Sequence, residues 1–263
     1  MELKIYQIDA FAYKIFSGNP AAICPLENWL SDELMQKIAA ENNLAETAFY
    51  VKNGNLFEIR WFTPTVEVDL CGHATLAAAF VLLEIENKNE NKINFYSQRS
   101  GELVVTKNEE NLTLNFPSDV FKEVAITPNL TDGFSIKPKA AFKGKTDYLL
   151  IFENEAQIKN VVPDFYLISK VMCRGIIISA PGDTVDFVSR FFAPQSGINE
   201  DPVTGSAHTT LTPYWSNKLN KIELTAIQLS SRRGYLSCKY LNDRVEISGK
   251  CKLYLKGTIL IDD

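Results

Sequence analysis

At 263 residues, the chain is long enough for one large domain or two ordinary ones, either with a substantial core, and 46% apolar against 22% charged residues is globular composition rather than disorder. A net charge of -5 argues against a polyanion-binding face, so no nucleic-acid partner is expected. The start of the chain has no basic region followed by an apolar run, and Leu76 to Leu83 is too short an apolar stretch to span a bilayer, so a cytoplasmic protein with no membrane partner is expected.

In chain order, Leu3 to Phe11 roughly alternates apolar and polar residues and reads as a strand, followed by a tight loop at Ser17-Gly18-Asn19-Pro20. Ser31 is placed as an N-cap, with Asp32 and Glu33 in the first helical turn and Leu34, Met35, Ile38 and Ala39 along one face, which predicts a helix to about Asn43. Leu44 to Val51 is a strand, and Asn53-Gly54 marks a hairpin into Leu56 to Phe62. Glu46 therefore stands where a helix hands over to a strand. After Gly72 and His73, Ala74 to Leu83 is apolar apart from Thr75, the mark of a helix enclosed by other elements. Glu86 to Lys92 reads as a loop, and strands follow at Ile93 to Ser97, Glu102 to Thr106 and Asn111 to Phe116. The turn-rich stretch after Pro117 places a domain boundary near residue 118, giving domains 1–118 and 119–263, with the last strand able to return to the N-terminal domain.

The second half repeats the order of the first. Arg190-Phe191-Phe192-Ala193-Pro194 matches Arg60-Trp61-Phe62-Thr63-Pro64, and each is followed after a short loop by a glycine that opens a helix, Gly205 and Gly72. A helix at Val162 to Val171 and an apolar strand at Gly175 to Ser179 stand where the Ser31 helix and the Glu46 strand stand in the first half. Duplication explains this, and the fold expected is α/β (α+β): two pseudo-symmetric domains, each a mostly antiparallel, barrel-like sheet around a central helix.

Both histidines lie near these helix starts: His73 in Cys71-Gly72-His73, and His208 shortly after Gly205-Ser206. If the halves face each other about a pseudo-twofold axis, the free N–H groups and positive dipole of each helix start can hold a substrate carboxylate and the charge that builds up when a neighbouring carbon loses a proton. Glu46 is the candidate proton carrier, with Asp201 and His73 able to orient the substrate or take part. Each residue also has a structural reading: Glu46 as a salt-bridged carboxylate, Asp201-Pro202 as a turn, Ser206 as an N-cap, His73 as a hydrogen-bonded core residue, His208 as structural because it lies further into its helix, and Cys71 as a small buried hydrophobe. The five cysteines match neither a zinc knuckle nor a redox pair and are expected to be reduced and mostly buried. Gly144-Lys145-Thr146 lacks the earlier glycine of a P-loop, there is no GxGxxG or GxSxG motif, and the two histidines are too far apart for a local metal pattern.

At these residues the sequence resembles the PhzF (phenazine biosynthesis-like) family. The resemblance rests on Asp9-Ala10-Phe11, Gly18-Asn19-Pro20-Ala21-Ala22, Asn43 to Phe49, Arg60 to Pro64, Cys71-Gly72-His73-Ala74-Thr75 and Glu200 to Ala207, in the family's order. It implies a diaminopimelate epimerase-like fold, commonly in a homodimer, and an isomerase that shuttles a proton between carbons of a small carboxylate-bearing substrate with no cofactor and no metal. It also implies Glu46 as general acid/base, with Gly72, His73, Asp201, Gly205 and Ser206 binding or orienting the substrate. Epimerases of the wider superfamily use two opposed cysteines. Here the partner position of Cys71 is Thr204, which argues against a two-thiol mechanism. The alternatives are a non-catalytic ligand-binding or interaction protein and an amino-acid racemase or epimerase.

Overall fold

The computed structural model describes residues 1–86 and 89–261. In chain order, the first unit contains β1 (Glu2–Ala10), β2 (Asn19–Leu26), α1 (Asp32–Asn42), β3 (Glu46–Asn53), β4 (Leu56–Phe62), β5 (Glu67–Val68), α2 (Gly72–Phe80), β6 (Lys92–Ser97), β7 (Gly101–Asn108) and β8 (Asn111–Pro117). The second contains β9 (Lys122–Val124), α3 (Pro128–Thr131), β10 (Ala140–Lys143), β11 (Tyr148–Ile151), α4 (Glu155–Asn160), α5 (Phe165–Ile168), β12 (Ile176–Pro181), β13 (Phe187–Phe192), α6 (His208–Leu219), β14 (Glu223–Gln228), β15 (Gly234–Tyr240) and β16 (Arg244–Gly249). The last strand, β17 (Cys251–Leu260), belongs to the first unit, so the compact units are Met1–Asn115 with Ser248–Asp263, and Phe116–Ile247; the chain passes from one unit to the other within β8 and back within β16.

In the first unit, β1 pairs antiparallel with both β17 and β2, β3 with β4, and β6 with β7, while β2–β3 and β4–β6 are parallel. The pattern recurs in the second unit: β11–β12 and β13–β14 are parallel, and β12–β13 and β14–β15 antiparallel. α2 packs against β1, β2, β3, β7 and β17, and every residue from His73 to Ala79 is buried, so sheet encloses the helix as its apolar sequence predicts. α6 packs against β14 and β15. The fold is a mixed α/β one, mostly antiparallel, with a central helix in each unit.

Local chemistry explains the element ends. The Ser31 side chain accepts from the Leu34 amide at 3.3 Å, and Asn43 closes α1 in the left-handed region at φ 47. Gly54, at φ +59, turns the β3–β4 hairpin. Gly18 has φ +69, and a Cβ there would lie 2.1 Å from the Ala10 carbonyl oxygen; only glycine lets the chain turn back so closely against β1.

Several expectations are corrected. Asn19-Pro20 is not loop but the start of β2, because Pro20 sits opposite Asp9 at the strand's first turn of pairing, where a missing N–H is tolerated. The helix expected over Val162 to Val171 is only α5: Pro163 keeps the residue before it out of helical geometry, and the Asp164 side chain caps the start by accepting from Leu167 at 3.1 Å. α4 was not anticipated. Glu86 closes a π-helical turn, Val81–Glu86, that prolongs α2; the remainder of the expected loop over Glu86 to Lys92 includes 87–88, outside the described residues. Gly205 does not open α6, which begins three residues later after a turn in which His208, Thr209 and Thr210 bond back to Gly205, Ser206 and Ala207. His208 is therefore the first residue of that helix rather than one further in.

Candidate active site

Glu46 is the first residue of β3 and is 9% exposed. β3 lies parallel to β2, with Glu46 opposite Ala21, two residues after Asn19. Cys71 is the N-cap of α2 and makes no side-chain capping bond; Gly72 and His73 follow as its first two residues. The amide of Thr75 is bonded to the Cys71 carbonyl, which leaves the Gly72, His73 and Ala74 amides without an intrahelical acceptor.

The His73 ring is held from three sides. Its Nε2 lies 3.1 Å from Glu46 Oε2, an ion-pair distance, and neither atom has a hydrogen bond, so proximity and charge rather than an aligned bond hold the pair. On the other edge, Nδ1 is 3.2 Å from Asn19 Nδ2 and 3.5 Å from Cys71 Sγ. Burial alone would lower the His73 pKa, but Cys71 and Glu46 reverse the sign and hold it well above the ordinary histidine value. The Cys71 thiol is itself pushed up to about 11, by burial first and then by the Glu46 charge, with His73 acting in the opposite direction. A thiol at about 11 is neutral at pH 7, so Cys71 is poorly suited to act as a base.

In the second unit, Asp201 Oδ2 accepts from the Thr204 hydroxyl at 2.6 Å. Gln228 binds the loop at both ends of its amide: its Oε1 accepts from the Thr204 amide at 2.8 Å, and its Nε2 donates to the Asp201 carbonyl at 2.8 Å. The Ser206 hydroxyl accepts from Arg174 at 3.0 Å, while Arg174 is also paired with Asp147. Gly205 is buried, and Ser206 and Asp201 are half-buried. His208 is fully buried, with Nδ1 2.9 Å from the Thr204 carbonyl, which supports its structural reading.

Glu46, Gly72 and His73 thus gather in the first unit, and Asp201, Gly205 and Ser206 share one loop in the second. Sequence reasoning gave no role to Asn19, Gln228 or Arg174. Asn19 stood in a quoted motif and the glycine before it was a usable signal, whereas nothing local marked Gln228 or Arg174.

The family model described as "Phenazine biosynthesis-like protein" matches residues 8–257. The chain belongs to the phenazine biosynthesis-like (PhzF) family. It is 49% identical over 260 residues to an uncharacterized isomerase of Pseudomonas aeruginosa, covering 98% of this chain and 99% of that protein. A crystal structure of a PhzF-family phenazine biosynthesis protein from Enterococcus faecalis superposes with a TM-score of 0.97 at 46% identity, covering 99% of this chain and all of that one. A hydroxyproline epimerase from Agrobacterium vitis shares the fold at a TM-score of 0.61 and 9% identity, covering 100% of this chain and 93% of its own. The PhzF-family chain therefore has a diaminopimelate epimerase-like fold, and relatives across its full length carry the name isomerase. Among the described residues, no helix is long and apolar enough to cross a membrane.

Proposed function

We propose that the protein is an isomerase that moves a proton between carbons of a small carboxylate-bearing substrate, with Glu46 as the general acid/base and no cofactor. The observation that carries this reading is the buried Glu46 carboxylate 3.1 Å from Nε2 of His73, a residue of the first turn of α2, where the Gly72 and His73 amides have no intrahelical acceptor. In this mechanism Glu46 takes a proton from a carbon made acidic by the substrate carboxylate and returns it to another carbon. His73 fixes the carboxylate's orientation, and the Gly72 and His73 amides hold negative charge on the substrate. Asp201, Gly205 and Ser206 are assigned to substrate binding as part of the same proposal. The high Cys71 pKa and the lack of a thiol at Thr204 both count against a two-thiol racemase.

The test is solvent deuterium incorporation, followed by NMR across a panel of amino acids and of cyclic and unsaturated small carboxylates. Wild-type protein is expected to label at least one compound, and Glu46→Gln to lower that rate by about 10²- to 10⁴-fold while keeping its circular dichroism. Undiminished exchange by Glu46→Gln would remove Glu46 from the mechanism. Binding without exchange across the panel would favour a ligand-binding protein, and loss of optical rotation of an amino acid would favour a racemase. With the labelled compound, Asp201→Asn and Ser206→Ala are expected to raise the concentration needed for half-maximal exchange. The homodimer belongs to the proposal too and is read by sedimentation.

A further inference from the structure

The sequence shows no local metal pattern, yet folding brings three donors of different chemistry together. Glu46 arrives on β3, while Cys71 and His73 flank the start of α2; one ligand atom from each can be chosen so that all three lie within 4.8 Å of one another. This is the one such group among the described residues. Two further observations single it out. Cys71 Sγ and His73 Nδ1 are 3.5 Å apart, and zinc bonds of about 2.3 Å to sulfur and about 2.0 Å to nitrogen at a tetrahedral angle require an edge of about 3.5 Å. Glu46 Oε2 is buried without a hydrogen bond, so the third donor of the cluster has an unused lone pair.

We propose that Glu46, Cys71 and His73 form a three-donor site for a thiophilic divalent cation, zinc foremost, whose binding occupies the carboxylate and imidazole and so acts as an off-switch. The donor set selects the ion: a thiolate and an imidazole beside one carboxylate suit zinc, cobalt or cadmium, whereas magnesium and calcium call for oxygen ligands throughout. On binding, the Cys71 thiol proton leaves to solvent together with any proton carried on His73 Nδ1, the Asn19 amide gives up its contact with Nδ1, and Glu46 closes from its present separation to bonding distance. No electron transfer is involved. A fourth position remains for water.

Binding does not depend on the isomerase reading, so the test reads the metal directly. Chelator-treated full-length protein is titrated with Co²⁺, and the near-ultraviolet thiolate-to-cobalt charge-transfer band is recorded, followed by displacement of Co²⁺ with Zn²⁺. The band is expected in the wild type and in Cys173→Ser, which alters the half-exposed cysteine, and is expected to be lost in Cys71→Ser. His73→Asn and Glu46→Gln are each expected to weaken Co²⁺ binding by at least about tenfold. Absence of the band in the wild type overturns the proposal even should Cys71→Ser fail to fold, as does a band that survives Cys71→Ser or disappears in Cys173→Ser. If a labelled substrate is found, Zn²⁺ stops its exchange at concentrations matching the spectroscopic affinity; exchange that continues in the saturated protein overturns the off-switch.

Discussion

The two histidines show how one side chain takes opposite electrostatic roles according to what folding places beside it. His73, next to Glu46, is held above its ordinary pKa; His208, fully buried beside Phe187 with only the Thr204 carbonyl at Nδ1, is lowered to about 4 by burial, which that hydrogen bond only partly offsets. The pH effect of His208 has a definite sign. Above pH 6.5 both the folded and unfolded chains keep this ring neutral, so it contributes nothing. Between 6.5 and about 4 the unfolded chain takes up a proton that the folded chain does not, so stability falls as pH falls through that window, by about 3 kcal/mol at its lower end. Urea midpoints at pH 7 and 4.5 should show a smaller acid loss in His208→Gln than in the wild type, and equal losses would clear His208 of the effect. At this scale the sequence located Glu46 and His73 as polar residues beside predicted element starts. The Asn19–His73 contact could not be read, because it depends on β2, whose start is disguised as loop by Gly18 and Pro20.

The strands that precede the two glycine motifs carry the same device. Arg60 on β4 grips Glu67 with Nε and Nη2 at 2.7 and 2.9 Å and lies 5.2 Å over the Phe62 ring; Arg190 on β13 grips Glu200 at 2.7 and 2.9 Å and lies 4.9 Å over Phe192. Each fork ties a strand to the segment leading toward Cys71 or Asp201, so each positions the start of a candidate binding loop. Their surroundings differ. Arg190 also donates to the Ile158 and Val161 carbonyls at 3.3 and 3.0 Å, whereas the further partner of Arg60 among these bonds is Asp32, an exposed carboxylate. A lysine keeps the charge but not the fork, and at position 190 it would also leave two carbonyls short of a donor. Arg190→Lys is therefore expected to cost about 2 kcal/mol and Arg60→Lys about 1 kcal/mol in urea unfolding; a larger cost at Arg60 would contradict this. The repeated Arg-aromatic-Phe strands were readable as a motif because hydrophobic spacing survives in sequence. The Ser31 cap and Asn53-Gly54 hairpin were readable because their chemistry is local; Pro163, which shortens α5, and Asn154 three residues before Gln157, which caps α4, are signals of the same local kind.

For the whole molecule, the deciding feature is that one unit is closed by a strand from the far end of the chain. β17 pairs with β1 over nearly its full length, from Glu2 opposite Leu260 to Ala10 opposite Cys251, and also packs on α2. Within β1, Tyr6, Ile8 and Ala10 are almost wholly buried, at 3%, 0% and 0% exposure. Without β17, β1 would become an open edge and part of the wall around α2 would be lost, removing backbone hydrogen bonds and apolar cover together. A return of the last strand to the N-terminal domain is an expectation of the sequence, but its partner and register are not, since the partners of a strand are set by the other strands rather than by its own pattern. The expected consequence is asymmetric: residues 116–247 expressed alone should unfold cooperatively in urea, whereas 1–115 alone should not, and joining 248–263 to 1–115 through a flexible linker should restore a cooperative transition. Circular dichroism across the three urea titrations decides it, and a cooperative transition in 1–115 alone would show that β17 is dispensable to the unit it closes.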